Sequence, residues 1–563
     1  MNRLIRFAFV CFVYFAVQNS RAADFAILKP AAFAHHIEHF NSMEDENVTN
    51  FVSNAQSWNW LQKEIPFFEC PDREVEEMYY FRWWSFRKHL VKTPAGFVIT
   101  EFLTPVKHAG IYNTISCAAG FHIAEGRWLR DQNYLGDYIT FWLRGKDAQP
   151  PPLAHRFSSW LAAAAYDRCL VNHDRKFLVR LLPDLVADYK IWEQERQLPN
   201  DLFWQFDVRD GMEESISGSR TDKNLRPTIN SYMFANARAI ADIARLAGND
   251  KIADGFAAKA AQLKKLTQEY LWNPDANFFE VRREDGTFSE VREELGFVPW
   301  MFELPDVAAG ILPAVEPGFQ PGGNNADGKG GVASSKALAS ASANPGGRMP
   351  PSTSGRMPDT TPAWSQLTDP KGLRAPFGIT TAERRHPQFR SHGVGTCEWD
   401  GAVWPFATSQ TLYALANVLR DYKQSVVTSQ NYFDAFLTYV HSQRADGKPY
   451  IGEYLDEVTG DWINGKGGRS RYYNHSTYAD LLITGVIGLR PRADDTVEIS
   501  PLLPEGVWNY FCLDGVKYHG HTLTILWDAD GSRYGHGKGL IVLADGKEIA
   551  QGNKLSKMTG KLP

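Results

Sequence analysis

The chain has 563 residues, enough to bury a sizeable core and to hold more than one domain. Its 65 acidic and 60 basic side chains leave a net charge of -5. No basic stretch is dense enough to follow a nucleic acid backbone, and neither heptads nor a basic amphipathic helix point to a membrane surface.

The first 22 residues have the pattern of a signal peptide. Arg3 and Arg6 precede an apolar run over 7–17, and the stretch ends at 20–22 in a sequence typical of a cleavage site. Because this run is far shorter than the roughly 20 residues of a spanning helix, an uncleaved anchor is the weaker alternative. A lipoprotein is weaker still, since Cys11 lies inside the run. We therefore expect a periplasmic or secreted protein without a membrane partner after cleavage.

The cysteines beyond this segment are widely spaced and odd in number. They are Cys70, Cys117, Cys169, Cys397 and Cys512. This spacing predicts neither a disulfide framework nor a metal cluster, although one or two bridges stay open. We expect no metal and no cofactor.

Helical periodicity dominates residues 45–485. Apolar residues recur at steps of three and four between Ile252 and Tyr270 and between Phe433 and Val440. Further amphipathic helices are predicted over 155–170, 176–193, 231–246 and 406–420. The turn at 248–250 joins two of these helices, so the repeating unit is a helical hairpin. We expect a barrel of helical hairpins over residues 23–490.

Two stretches differ from this pattern. Residues 317–362 are rich in Gly, Ser, Ala and Pro and lack apolar anchors, which predicts a disordered insertion within the barrel domain. Residues 491–563 are predicted to form a small antiparallel β module, because apolar and polar residues alternate over 521–527. Asp530-Gly531 and Asp545-Gly546 are predicted turns in it.

Three clusters could carry chemistry. The first, 207–218, holds four acidic residues within eight positions around Gly211, and one of them could protonate a leaving oxygen. An acidic solvated loop that caps a helix is an equal alternative.

The second cluster, 398–405, places two indoles around Asp400, an arrangement suited to a sugar ring, although the tryptophans could simply pack at a helix start. The third, 452–462, sets acidic residues beside Tyr454 and Trp462 in what is otherwise an ordinary turn.

Together the clusters resemble those of the six-hairpin glycosidases, which include trehalases, processing glucosidases and mannosylglycerate hydrolases. The resemblance covers about 125–489 and implies an (α/α)6 toroid, mainly α-helical, that hydrolyses a glycosidic bond. In that group the first cluster carries the acid, and Glu213 falls where the family has aspartate, with Asp210 as the alternative. The third cluster carries the base, which places it at Glu453, although the residue usual between Glu and Tyr is missing here.

Ten further residues are expected to contact the substrate, an oligosaccharide or polysaccharide. They are Trp128, Trp204, Asn230, Arg384, Arg385, His386, Trp399, Asp400, Trp404 and Tyr454. Among them, Trp204, Trp399 and Trp404 are expected to wall the pocket and raise the pKa of the acid.

Two carboxyls about 6.5 to 9.5 Å apart would give an inverting reaction, in which one protonates the leaving oxygen and the other activates water. The first cluster also resembles the acid segment of α-L-rhamnosidases, and β-L-arabinofuranosidases have related barrels. A non-catalytic carbohydrate-binding protein would keep the aromatic walls without the carboxyls. A polysaccharide lyase would need a Tyr, His or Lys base, and Arg384, Arg385 and His386 keep it open.

Overall fold

The computed structural model describes residues 26–145, 154–306, 359–392, 397–464 and 468–563. The predicted signal peptide and nearly all of the predicted insertion lie outside these residues. Within the described ranges, no helix is both long enough and apolar enough to cross a bilayer.

The chain is mainly helical between residues 34 and 442. The α-helices are α1 (Ala34–Ser42), α2 (Asn54–Glu64), α3 (Arg73–Lys88), α4 (Ala119–Gly126), α5 (Asn133–Arg144), α6 (Leu161–Asn172), α7 (Arg175–Arg180), α8 (Leu182–Arg196), α9 (Asp207–Asp210), α10 (Pro227–Leu246), α11 (Asp250–Leu271), α12 (Val298–Met301), α13 (Pro405–Asp421) and α14 (Ser429–Ser442). A π-helical segment, Leu481–Val486, precedes the C-terminal strands.

The helices close into a ring. Contacts run from α4 through α6, α10, α12, α13 and α14, and α14 then packs against α3 near the N-terminus. Helix α10 is buried at most of its positions, as an inner helix must be, whereas α11 buries only one face against it. The predicted turn between them is confirmed, because Gly248 has φ +66° and the Asn249 side chain caps α11. The mainly α toroid predicted from the sequence is thus confirmed.

Several helix ends differ from the prediction, and proline explains two of the differences. The helix predicted from 231 begins at Pro227, where the missing N–H costs nothing. The helix predicted over 176–193 is divided into α7 and α8, and Pro183 lies in the first turn of α8. The helix predicted from 155 begins at Leu161 instead.

The strands form one larger sheet, a smaller one and several short ribbons. They are β1 (Phe67–Glu69), β2 (Leu90–Thr93), β3 (Gly96–Ile99), β4 (Trp272–Asn273), β5 (Phe278–Phe279), β6 (Arg374–Ala375), β7 (Gly378–Ile379), β8 (Arg444–Ala445), β9 (Lys448–Pro449), β10 (Leu489–Arg490), β11 (Thr496–Ile499), β12 (Tyr510–Tyr518), β13 (His521–Asp528), β14 (Gly539–Ala544), β15 (Lys547–Gly552) and β16 (Met558–Lys561).

The C-terminal sheet includes a strand from the other end of the chain. Its antiparallel order is β1-β12-β13-β14-β15, so β1 pairs at its edge although residues 491–563 alone were expected to build it. The N-terminal chain is held there too, since the backbone N–H groups of Ile27 and Leu28 donate to the buried Asp514 carboxylate at 2.7 and 2.8 Å. The sheet is thereby tied to the start of the helical ring.

Two tight turns shape this sheet. The predicted Asp545-Gly546 turn is confirmed: both residues have positive φ, as a two-residue hairpin of type I′ requires. His519 and Gly520 form the same kind of turn between β12 and β13. All five cysteines beyond the predicted signal segment are free.

Candidate active site

A cavity of about 270 Å³ gathers residues from several loops between the helices of the ring. Its lining residues come from five parts of the chain: 101–117, 156–157, 208–213, 397–406 and 453–475. Two of the three predicted carboxyls, Glu213 and Glu453, are among them. A larger cavity of about 580 Å³ lies between α4, α6, α10 and α13, and none of the residues predicted to act on substrate lines it.

Glu213 lies in the loop that follows α9. Gly211, with φ +72°, ends that short helix and turns the chain toward the cavity. The half-buried Glu213 has no cation paired with it among the described residues. Burial, together with the negative charges of Glu453 and Asp207, raises its pKa to about 7, although a backbone hydrogen bond and Arg469 act in the opposite direction. A carboxyl with this pKa can hold a proton near neutral pH.

Glu453 has the opposite surroundings. It is buried, and Arg469 forms an ion pair with its Oε2 at 3.0 Å. The Asn464 amide and the Ser470 hydroxyl also donate to Oε2. Burial raises the pKa of Glu453 above its ordinary value, and Arg469 and these hydrogen bonds limit that rise. Three donors on one carboxylate oxygen favour its ionised form.

Glu101 is a third carboxyl in the cavity wall, which no motif in the sequence indicated. It follows β3, and its backbone carbonyl accepts a hydrogen bond from the Asn474 N–H at 3.0 Å. Burial raises its pKa well above the ordinary value, and the charges of Glu453 and Glu213 add to this effect. Glu101 therefore stays neutral when Glu453 is ionised, and a neutral carboxyl can donate a hydrogen bond as well as accept one.

The other titratable groups of the cavity are less suited to proton transfer. Burial lowers the pKa of His475 to about 3, so this imidazole is neutral, and its Nε2 lies 3.0 Å from the Glu453 carbonyl oxygen. Burial also raises the pKa of the Cys397 thiol to about 11 and that of Cys117 well above its ordinary value. Neither thiol is a thiolate at neutral pH, which disfavours a cysteine nucleophile.

An aromatic stack forms one wall of the cavity. The rings of Trp399 and Trp404 stack with centroids 4.3 Å apart, and Tyr454 stacks on the other side of Trp404 at 4.6 Å. Trp399 and Trp404 line the cavity, and the indole Nε1 of Trp399 has no hydrogen-bond partner among the described residues. Tyr454 supports the wall from behind, because its hydroxyl binds the Cys397 N–H and the Asn464 side chain.

Comparison with known sequences decides the family. The mannosylglycerate hydrolase MGH1-like glycoside hydrolase domain matches residues 111–316 and 346–476, which is more than half of the chain. The chain belongs to this family. The glycosyl hydrolase family 65 C-terminal domain matches residues 489–550, the region of the C-terminal strands.

Solved structures agree with this assignment. The glycosidase is 46% identical to a protein of known structure named "Sialidase", with a TM-score of 0.86 over 96% of this chain. It spans only 46% of that longer chain. A GH78 rhamnosidase of Bacillus sp. GL1 is 13% identical, with a TM-score of 0.53 over 82% of this chain and 40% of its own, a likeness of fold alone. The predicted membership of the six-hairpin glycoside hydrolases is confirmed.

Asp210, the alternative acid, does not reach the cavity of the glycosidase. Its side chain is fully buried in an ion pair with Arg226 at 2.8 Å, and the Thr228 hydroxyl donates to the same carboxylate oxygen. Asp400 is also buried outside the lining, where its Oδ2 accepts from the His392 N–H at 2.9 Å. Both aspartates hold the loops that carry the lining residues.

Three more of the expected contacts are packing residues of the glycosidase. The Trp128 indole donates to Asp480 at 2.6 Å, and the Asn230 amide binds the backbone N–H and carbonyl of Phe203, both at 2.8 Å. Trp204 lies under the Arg196 guanidinium, 4.7 Å from its ring centroid. None of these three lines the cavity, so Trp204 is not part of the wall that desolvates the acid.

The basic segment Arg384, Arg385 and His386 also lies apart from the cavity lining. Arg384 donates to the Pro370 carbonyl oxygen, and Arg385 pairs with Asp369 and Glu383. Within the described part of the chain, the cations that do line the cavity are Arg156, Arg209 and Arg469, none of which was predicted to act on substrate. They occur in no recognisable motif, and only the fold brings them together.

Proposed function

We propose that this glycoside hydrolase inverts the anomeric configuration, with Glu213 as the general acid and Glu453 as the general base. The proposal depends on one observation: Glu213 and Glu453 line the same cavity, and of these two only Glu453 has a cation and two further donors. The carboxyl without these partners has a pKa raised to about 7, as an acid requires. The carboxyl with them has donors that favour its ionised form, which is the form that activates water.

The cavity volume supports the release of a terminal sugar. At about 270 Å³ it lies below the range of about 300 to 1,000 Å³ of ordinary ligand pockets. A space of that size suits one sugar ring against Trp399 and the edge of Trp404 better than a run of several rings. We further propose that the protein is exported and acts on oligosaccharides or polysaccharides outside the cytoplasm, in keeping with the signal pattern of its first 22 residues.

The decisive experiment follows the first-formed product by NMR. An anomer opposite to that of the substrate is expected, and retention of configuration would overturn the inverting mechanism. Chromatography of an oligosaccharide digest should show a monosaccharide from the earliest time points. A ladder of intermediate oligosaccharides would instead show internal cleavage.

The sugar that the enzyme releases can be identified with a panel of aryl glycosides. Rhamnosides and arabinofuranosides belong in it, because the first cluster resembles the acid segment of rhamnosidases and arabinofuranosidases have related barrels. A sialoside belongs in it too, although the name "Sialidase" describes a chain of which this one matches 46%.

A sugar with a carboxylate is a second candidate, favoured by the cations of the cavity. Arg156 and Arg209 both line it, and Arg156 Nε has no hydrogen-bond partner among the described residues. Burial lowers the pKa of Arg209, and the charge of Arg156 lowers it further, so an anion between them would be stabilised. An acidic glycoside cleaved faster than its neutral counterpart would support this candidate, and equal or slower cleavage would exclude it.

A further inference from the structure

Three potential metal ligands meet where the helical ring joins the C-terminal strands. His173 ends α6, Asp495 precedes β11, and His519 lies in the hairpin turn between β12 and β13. Their nearest ligand atoms all lie within 4.8 Å of one another. The cluster is separate from the active site, since none of its members lines that cavity.

The hydrogen bonds of His519 fix which of its nitrogens is available. Its Nε2 lies 2.9 Å from the Leu170 carbonyl oxygen, so Nε2 carries the proton and donates it. The backbone N–H of the same residue donates to the Val171 carbonyl oxygen at 3.0 Å, which anchors the turn on the end of α6. In the neutral ring Nδ1 is therefore free of its proton, and it lies 4.0 Å from Asp495 Oδ1, in the tautomer that metal-ligating histidines have when a carbonyl holds the other nitrogen.

Two imidazole nitrogens of the cluster are left unsatisfied. Neither His519 Nδ1 nor His173 Nε2 has a hydrogen-bond partner within the described structure, and both atoms are buried. The His519 side chain is only 1% exposed, and its Nδ1 lies 4.0 Å from Asp495 Oδ1. A buried nitrogen without a partner is unfavourable, and a metal ion would satisfy both nitrogens at once.

We propose that His173, Asp495 and His519 bind a divalent transition metal ion, with zinc the best match. Two imidazole nitrogens and one carboxylate oxygen are zinc ligands, whereas Ca²⁺ and Mg²⁺ prefer sites built of oxygen alone. Water would complete the tetrahedron on the exposed side of Asp495, whose side chain is 72% exposed.

Only small movements are needed to reach bonding geometry. Zinc–nitrogen bonds of about 2.0 to 2.1 Å place tetrahedral ligand atoms about 3.3 Å apart, and the present separations are within 4.8 Å. The two rings now stack with centroids 4.2 Å apart, so they must tilt to point at one ion. The exposed Asp495 side chain is free of the packing that would resist its rotation.

Such an ion would link three segments of the chain. It would join the end of α6 to the loop before β11 and to the β12–β13 turn, and so fasten the C-terminal strands to the helical ring. Zinc binding should therefore stabilise the folded protein, by an amount that grows with the logarithm of the zinc concentration once this exceeds the dissociation constant. Arg175 is a cation near the proposed metal site, and its guanidinium donates a hydrogen bond to the Ala493 carbonyl oxygen at 2.7 Å.

The test uses the full chain, stripped with a chelator and then titrated with zinc sulfate. We expect one zinc ion per chain by elemental analysis and calorimetry, and a thermal midpoint that rises with zinc but not with Ca²⁺ or Mg²⁺. His519→Asn and His173→Asn should weaken binding by more than the 10- to 100-fold typical of losing a supporting hydrogen bond. Asparagine suits these positions because both residues have a left-handed backbone, with φ +50° and +60°.

Matched variants separate this site from incidental binding. His521→Asn removes a histidine on the same hairpin that pairs with Asp545 at 2.7 Å, and it should leave zinc affinity unchanged. Asp495→Asn should weaken binding without disturbing the fold, because that side chain is exposed. If the stripped protein binds no zinc, or if Asp495→Asn and both histidine variants bind it as the wild type does, the proposal is overturned.

Discussion

The two loops that carry the candidate acid and base deliver a carboxyl to the same cavity in opposite ways. The loop at 207–218 leaves Glu213 half-buried and without a paired cation, and its pKa rises to about 7. Glu453 is buried more completely, but Arg469, Asn464 and Ser470 surround it. Burial alone would raise the pKa of both carboxyls. The difference between them lies in the donors, and the proposed roles of acid and base rest on that difference.

The largest expected effect comes from removing either carboxyl. Glu213→Gln and Glu453→Gln should stay folded and each lose a factor of at least about 10² in kcat, the scale for an acid or base. An activated aryl glycoside needs little protonation of its leaving group, so it should partly rescue Glu213→Gln but not Glu453→Gln. Steady-state kinetics on paired substrates measures this difference.

Glu214→Gln is the control for this experiment. Glu214 is the next residue in the loop, but it pairs with Arg220 at 2.6 Å and does not line the cavity. Its variant should keep kcat within a small factor of the wild type, because exposed ion pairs contribute little. Rescue of both Glu213→Gln and Glu453→Gln by the same activated substrate would show that the roles are not divided as proposed.

Asp210 lies three residues before Glu213 and should behave in the opposite way. Because Asp210→Asn leaves the Arg226 guanidinium buried without its counter-ion, we expect a loss of about 3 to 5 kcal/mol in the free energy of unfolding. The folded fraction should retain kcat. Urea denaturation and kinetics at low temperature measure the two effects.

A double variant sharpens the contrast. Arg226→Met combined with Asp210→Asn removes both charges, so its loss of stability should be smaller than the sum of the two single losses. If Asp210→Asn is instead as stable as the wild type and inactive, Asp210 is the acid and Glu213 is not.

The sequence predicted the general architecture, and it singled out two carboxyls that the structure places in one cavity, because both inferences depend on local patterns. Helical periodicity identifies α10 and α11 without knowledge of their neighbours. The positions of Glu213 and Glu453 follow from their clusters. In contrast, Asp210 and Glu213 both belong to the first acidic cluster, and the sequence does not show which of them is the acid. Only the fold pairs Asp210 with Arg226.

Long-range contacts account for the rest. Glu101 and Arg469 lie far apart in the chain and in no motif, yet both line the cavity. The pairing of β1 with β12 joins residues more than four hundred positions apart. A strand of three residues is too short to show the alternation of apolar and polar side chains from which a strand is predicted. Trp204 was predicted to form part of the pocket wall, but it packs under Arg196 instead. The sequence alone does not distinguish an indole that packs in this way from one that faces a substrate.

A smaller effect is expected on the pH profile. With Glu213 protonated and Glu453 ionised in the active form, kcat/KM should fall above about pH 7 as Glu213 loses its proton. Arg469 lowers the pKa of both carboxyls, so Arg469→Met should move both limbs of the profile to higher pH. The acidic limb should move further, because Arg469 contacts Glu453 directly.

Arg220→Met is the control for that shift. Arg220 lies on the same loop as Glu213 but pairs with Glu214 and does not line the cavity, so its variant should keep the wild-type profile. An unchanged profile for Arg469→Met, or a shift to lower pH, would show that Glu453 is not the ionised base.

The smallest expected effect concerns the aromatic wall. Trp399→Phe keeps a ring in the stack with Trp404 but shortens the surface offered to a sugar. Since aromatic contacts are worth about 0.5 to 1.5 kcal/mol, KM should rise by a factor of about 2 to 12 while the unfolding midpoint changes little.

Trp204→Phe is the matched control, because Trp204 is also buried but lies outside the cavity, and its KM should stay at the wild-type value. An equal rise in KM for both variants would mean that the tryptophans act through general packing. A rise in KM for Trp204→Phe alone would place the substrate at a different part of the helical ring. That result would contradict the assignment of Glu213 and Glu453 as acid and base.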